Sequence, residues 1–177
     1  MGTNDVKNQK IREQVIPVYS CPSDFRPVRE NNVAASNYAG VHHDEEAPID
    51  HGNHGPFVLN LAVPVDSVTD GTSNTLFVGE KGLQREELGW MSGTRATLRN
   101  TGARINHNLA GLRNQFPIDN AVSAAAITAE SVGSYSSHHT GGAHFLIGDG
   151  AIRFLNENIE QSLLRRLAIT VRLGRWP

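Results

Sequence analysis

His144-Phe145-Leu146-Ile147, then Gly148-Asp149-Gly150, then Ala151-Ile152-Arg153-Phe154-Leu155 is the stretch that decides the fold. Two apolar runs flank an Asp-Gly, a pair that tolerates the positive φ of a tight turn. The stretch predicts an antiparallel hairpin over residues 143–155, with Phe145, Ile147, Ile152 or Phe154 facing a core. Directly behind it, Asn158 with Gln161 three residues later fits a capping box. Ile159, Leu163, Leu164 and Leu167 then recur at helical spacing, so a helix over 158–168 should pack on the sheet.

Working outward, Asp70-Gly71-Thr72-Ser73-Asn74 reads as a turn and residues 75–79 as a central strand. Asn37-Tyr38-Ala39-Gly40-Val41 is a short extended piece, and residues 15–19 read as a strand leading into Cys21-Pro22-Ser23-Asp24. Residues 57–65 are apolar but meet Pro64, which predicts an edge strand. Residues 89–93, around Trp90, suggest one more strand. A run at 5–14 has amphipathic spacing that Asn4 would cap. Residues 42–56 are dense in breakers and read as loop, and 94–120 as a long polar excursion. Residues 120–130 are Ala-rich and read as helical. The sum is an α+β domain: a short-stranded antiparallel sheet with long loops and a C-terminal helix.

The length of 177 residues holds one domain over 1–177, not two. Gly 17 with fifteen Asn is about one residue in six, which favours turns over long elements. Lys+Arg 16 against Asp+Glu 18 leaves a charge of −2, so no bulk field recruits nucleic acid or an anionic membrane. No apolar run approaches the ~20 residues of a membrane span. Cys21 stands alone, which argues against an internal disulfide and against a Cys-based zinc site. Met1-Gly2-Thr3-Asn4-Asp5 lacks the charged and apolar regions of a signal peptide.

Four groups of residues invite a chemical reading. His42, His43, Asp44, Glu45, Glu46, His51 and His54 are the densest set of ligand types, but no metal-ligand spacing recurs, so a solvated polar loop is expected. Asp66, Asp70, Asn74 and Glu80, with Thr72, offer hard oxygens around one turn. They are the candidates for calcium, although the order and acid count depart from an EF-hand. His139 and Asp149 would make a metal or base–orienter pair only if the Gly141-Gly142 bend folded His139 along the strand. Otherwise they sit at opposite ends of the hairpin, and Asp149 fixes its turn. Arg165, Arg166, Arg172 and Arg175 read as helix C-terminal cations, and Trp90 and Trp176 as anchors. No nucleophile elbow or phosphate loop is present.

Together, four stretches resemble one family. They are Ile16-Pro17-Val18-Tyr19-Ser20-Cys21-Pro22-Ser23-Asp24, Asn37-Tyr38-Ala39-Gly40-Val41, residues 70–80 from Asp70 to Glu80, and His139 followed after nine residues by Asp149-Gly150. The resemblance, over residues 11–168, is to the bacterial family of unknown function with prepilin-type N termini and a processing-associated His-x9-Asp-Gly domain, abundant in planctomycetes. It implies a pilin- or pseudopilin-like globular domain, the C-terminal part of a longer protein, with 5–14 as the remnant of an N-terminal helix. The family signature falls on His139, Asp149 and Gly150, and no catalytic residue carries over. The expectation is a non-enzymatic structural or adhesive subunit, extracytoplasmic in the envelope or at the surface, whose partners are other pilin-like subunits or envelope proteins. The alternatives are an extracytoplasmic domain binding polysaccharide or another solute, and a metal-dependent hydrolase using His139 and Asp149. Only eleven aromatics exist to line a sugar site, which weakens the binding alternative. No cofactor is expected beyond the calcium considered above.

Overall fold

The computed structural model describes residues 5–25, 29–30, 32–84, 87–107 and 132–170. Its centre is a mixed sheet of five strands in the order β5-β3-β4-β6-β7. The strands are β3 (Tyr38–His43), β4 (Leu76–Glu80), β5 (Leu98–Asn100), β6 (Gly142–Ile147) and β7 (Ile152–Asn156). A separate two-stranded ribbon pairs β1 (Arg29–Glu30) with β2 (Val33–Ala34). The α-helices among the described residues are α1 (Gln9–Arg12) and α2 (Gln161–Ala168). The class is α+β, as the pattern predicts. The sheet is not wholly antiparallel, because β5 joins β3 in parallel.

The β6–β7 hairpin follows from its sequence. Ala143, Phe145 and Ile147 alternate inward and are buried, while Leu146 faces out. The loop closes through Gly150 N–H donating to Ile147 O at 2.9 Å, with Gly150 at φ 91°. The Asp149 carboxylate accepts the Ala151 N–H at 2.9 Å. Asp149→Ala is therefore expected to cost about 1 kcal/mol, the net value of one such bond. Chemical denaturation of the two proteins measures it, and an unchanged midpoint would show that the turn holds without the carboxylate.

The inner face of the sheet meets α2. Ala39, Val41, Leu76, Ala143, Phe145 and Ile147 pack with Leu164 and Ala168 of the helix and with Tyr135 and Ile105 from loops. Tyr135 and Phe145 meet edge to face at 5.0 Å. A fully buried Leu or Phe contributes about 1.5–3 kcal/mol, so this cluster is the main source of stability.

Several local expectations are corrected. α2 begins at Gln161, and Asn158 does not cap it: the Asn158 N–H donates to Asn156 Oδ1, and Gln161 Nε2 reaches Thr101 O at 2.6 Å. Gln161 thus ties the helix to a neighbouring loop. Residues 15–19 are not a strand, since Pro17 starts a 3-10 turn over Pro17–Tyr19. Residues 57–65 hold only an isolated bridge, Val58 to Leu61, because Pro64 leads into a second turn at Val65–Ser67. Residues 89–93 form a turn. The 5–14 segment is a 3-10 turn (Val6–Asn8) running into α1, with Asp5 supplying a capping oxygen to Lys7 N; Asn4, expected as the cap, lies outside the described residues. The loop expected from residue 42 starts later, since β3 runs through His43. Residues 108–131, including the Ala-rich run, lie outside the described residues, as do Arg172, Arg175 and Trp176. Arg165 does not simply face the helix end: it reaches Glu45 Oε1 at 3.0 Å and Gly102 O at 3.3 Å. Trp90 does anchor a segment, donating to Gln14 O at 2.9 Å and lying 5.9 Å from the Tyr19 ring.

Candidate functional site

The outer face of the sheet carries Glu80 at the end of β4, opposite Tyr38 of β3. The chain before β3 is clamped onto this end. Asn37, buried, accepts the Cys21 N–H through Oδ1 at 3.0 Å and donates to Asp24 Oδ2 at 2.8 Å. The Cys21-Pro22-Ser23-Asp24 turn closes on itself through Asp24 N–H to Cys21 O at 3.0 Å. Cys21 is thereby held buried beside the Glu80 carboxylate.

The chain entering β6 supplies the other side. Ser136 N–H donates to Glu80 O at 3.1 Å, and Ser136 Oγ accepts from Gly82 N at 2.9 Å. Ser137 Oγ donates to Gly142 O at 2.6 Å and accepts the His139 N–H at 3.1 Å. These bonds set the His139 ring over the carboxylate. His139 Nε2 lies 3.1 Å from Glu80 Oε1 and 3.6 Å from Cys21 Sγ, which is itself 3.8 Å from the same oxygen. The other carboxylate oxygen, Oε2, accepts the His144 N–H at 2.7 Å and faces His144 Nδ1 at 3.2 Å. Next to this group, His138 Nε2 pairs with Asp24 Oδ1 at 3.3 Å. Burial, then the nearby Cys21 and Glu80, push the Tyr38 phenol above its ordinary value, so it stays protonated.

The geometry limits the chemistry. A Cys–His–carboxylate relay needs the thiol and the carboxylate on opposite ring nitrogens, so that a proton enters by one and is balanced at the other. Here Cys21 and Glu80 both converge on Nε2, which a relay cannot use. Three donors of different type converging on one point is instead the arrangement of metal ligands.

A second cluster lies in the His-rich segment. Asp44 Oδ1 faces His43 Nδ1 at 2.8 Å and His54 Nδ1 at 3.5 Å, and the two rings lie 4.7 Å apart. His43 Nδ1 also lies 3.0 Å from the Glu45 N, so the carboxylate and this N–H compete for one ring nitrogen. Counting its bonds, Asp44 sits below the ordinary carboxylate value even though burial opposes the shift. The segment is not the solvated loop expected of it. His42 is fully buried, and Glu46 Oε1 accepts the Val132 N–H at 2.7 Å. His51 pairs with its neighbour Asp50 in the open.

A buried charge network joins the end of β4 to β5. Lys81 Nζ lies 2.6 Å from Glu87 Oε2, and Arg99 Nη2 lies 2.9 Å from Glu87 Oε1, with all three side chains at most 2% exposed. Arg99 Nη1 also donates to Val132 O, and Tyr135 Oη to Arg99 O.

The residues expected to act do not all meet. His139 precedes β6 and Asp149 follows it, so a strand of about 20 Å separates them and they share no site. A hydrolase centre built on that pair draws no support from this arrangement. Glu80 is likewise removed from Asp70 and Asn74, which precede β4, by the length of that strand. Asn74 Nδ2 donates to Asp70 O, Asp66 sits in the turn at Val65–Ser67, and the four calcium candidates are not one site. Cys21, for which no Cys-based zinc site is expected, lies within ligand reach of Glu80 and His139. A lone Cys is a poor sign of a Cys-rich site, but it does not speak to a mixed donor set. The signal that was present is the set of four stretches themselves: they supply Cys21, Asn37, Glu80 and His139 to one place. Ser136, Ser137, His138 and His144, which position Glu80, His139 and Asp24, lie outside those stretches.

No curated protein and no solved structure matches this chain. A family model does match residues 1–162, described as a protein of unknown function (DUF1559). That match spans most of the chain and all four stretches, and so the chain belongs to the DUF1559 family.

Proposed function

We propose that the chain is the globular domain of a non-enzymatic, pseudopilin-like structural subunit that works outside the cytoplasm, in the envelope or a surface fibre, by packing against further copies. The family it belongs to is one of unknown function, and among the described residues no helix is long and apolar enough to cross a membrane. The observation that carries the reading is the open face at the sheet edge. β7 is the last strand, and on the outer side Leu146 and Ile152 are paired across the hairpin, with Phe154 two residues on. They are 38%, 71% and 44% exposed, which places three large apolar side chains side by side in water. Contiguous apolar surface on an edge hairpin is the usual mark of a surface that another chain covers.

The test is self-association. Sedimentation of the full chain over rising concentration should show reversible dimers or longer species. Ile152→Lys should shift the equilibrium toward monomer by tenfold or more without changing the fold, because a charge would then be buried in the contact. A wild-type chain that remains monomeric at several hundred micromolar (about the reach of a weak pilin contact) would reject this face as a homotypic contact.

A further inference from the structure

We infer that Cys21, Glu80 and His139 form a binding site for a divalent first-row transition ion, zinc being the one their chemistry favours. The inference goes beyond the proposed assembly role and does not depend on it. The three donor atoms are mutually 3.1, 3.6 and 3.8 Å apart. A tetrahedral zinc ion with Zn–S near 2.3 Å and Zn–N or Zn–O near 2.0–2.1 Å sets its ligands about 3.3–3.6 Å from one another. A point equidistant from the three atoms of this triangle lies about 2.0 Å from each, inside that coordination range. The triangle has the size of one ion.

The donor set selects the ion class. A thiol, an imidazole and a carboxylate suit zinc and its neighbours, whereas calcium and magnesium take oxygens alone. The surroundings fit as well. Glu80 offers Oε1 while Oε2 is held by the His144 N–H at 2.7 Å, which orients the carboxylate as partners beyond the ligands do in metal sites. Cys21 and Glu80 are buried, while the His139 side chain is 29% exposed, so an ion can enter from one side. Three protein donors leave a fourth position for water, as in exchangeable zinc sites. Binding would turn the Cys21 thiol into a thiolate and release its proton to solvent. The other group within ligand reach, His43 with Asp44 and His54, contains no thiol and so cannot give the thiolate charge-transfer band that marks this site.

Cobalt and zinc ions, added singly to the full chain after chelator treatment and under reducing conditions, test the site. Cobalt should give tetrahedral d–d bands and a thiolate-to-cobalt charge-transfer band in the near ultraviolet, both removed by one equivalent of zinc. Cys21→Ser should abolish the charge-transfer band. His139→Ala should weaken zinc binding by at least tenfold, and Glu80→Gln, which keeps the shape and the bond from His144 N–H, should weaken it too. His54→Ala should leave binding unchanged. Circular dichroism confirms that each variant is folded. The inference is overturned by a folded wild type that gives no cobalt bands, by bands that survive Cys21→Ser, or by binding lost with His54→Ala and kept with His139→Ala. None of these outcomes bears on self-association through Ile152, so the two readings fail separately.

Discussion

Glu87→Ala is expected to destabilise the fold by about 3–5 kcal/mol, the largest effect of any single polar substitution here. The Glu87 carboxylate stands between two buried cations, 2.6 Å from Lys81 Nζ and 2.9 Å from Arg99 Nη2. Burial pulls the Arg99 guanidinium below its ordinary value, and Glu87 is the main influence opposing that. Removing the carboxylate leaves two like charges facing each other in a poorly hydrated interior. The intact network need not add much net stability, because taking three charges from water offsets most of their attraction. The large figure belongs to breaking it. Glu87→Gln keeps the shape and one accepting oxygen and should cost distinctly less. Urea denaturation separates these cases, provided the slope with denaturant is unchanged. A Glu87→Ala loss below about 1 kcal/mol would mean that water reaches the network and screens it.

The same network shows why parts of the fold were legible and others not. The hairpin could be read because its evidence is local: inward Phe145 and Ile147, outward Leu146, and Asp149-Gly150 between. β5 could not. Leu98–Asn100 is three residues with Arg99 at its centre, and such a sequence reads as surface. It is interior only because Glu87, twelve residues earlier, neutralises Arg99 there. The converse holds at 57–65, whose apolar residues suggested a strand. Leu61 and Val65 are 47% and 60% exposed, and no neighbouring strand receives them.

The candidate site has the same character. Cys21 and Glu80 are 59 residues apart, and Cys21 and His139 are 118 apart, so no spacing rule could join them. The stretches around them were each visible as motifs. What the sequence lacked was the sheet order, which brings β3, β4 and β6 side by side and so gathers one residue from each motif at one end. Asp149 stood out in the sequence as half of a signature pair, and its turn bond is at the other end of β6. A pair nine residues apart within one strand-and-turn unit is held apart by the strand itself.

Lowering the pH from 6.5 to 4 is expected to remove about 3 kcal/mol of stability through His42 alone. His42 is fully buried on β3, and its Nδ1 lies 3.2 Å from Asn53 Oδ1. Asn53 Oδ1 is an acceptor, already taking the Asp50 N–H at 2.6 Å, so the proton sits on His42 Nδ1 and Nε2 is the bare nitrogen. Nε2 is buried with no hydrogen-bond partner among the described residues, and a second proton would sit there as an uncompensated charge. Burial therefore lowers the His42 pKa to about 4, with the Asn53 bond opposing the shift, His43 and Arg99 adding to it, and Glu46 opposing it. The unfolded chain takes up this proton near 6.5 and the folded chain only near 4. Between those values the unfolded state binds more protons, so stability rises with pH across the window and is complete above 6.5. Asp44, whose carboxyl is held below its ordinary value, contributes stability that is lost from about pH 5 downward, and that loss is common to wild type and the His42 variant, so it cancels in their difference. His42→Leu keeps the volume and removes the proton site, so its stability should change less between pH 4 and 6.5 by the same amount. Denaturant unfolding of both proteins at several pH values measures the difference in slope. Parallel curves for wild type and His42→Leu would show that His42 finds a partner for its second proton in the folded chain.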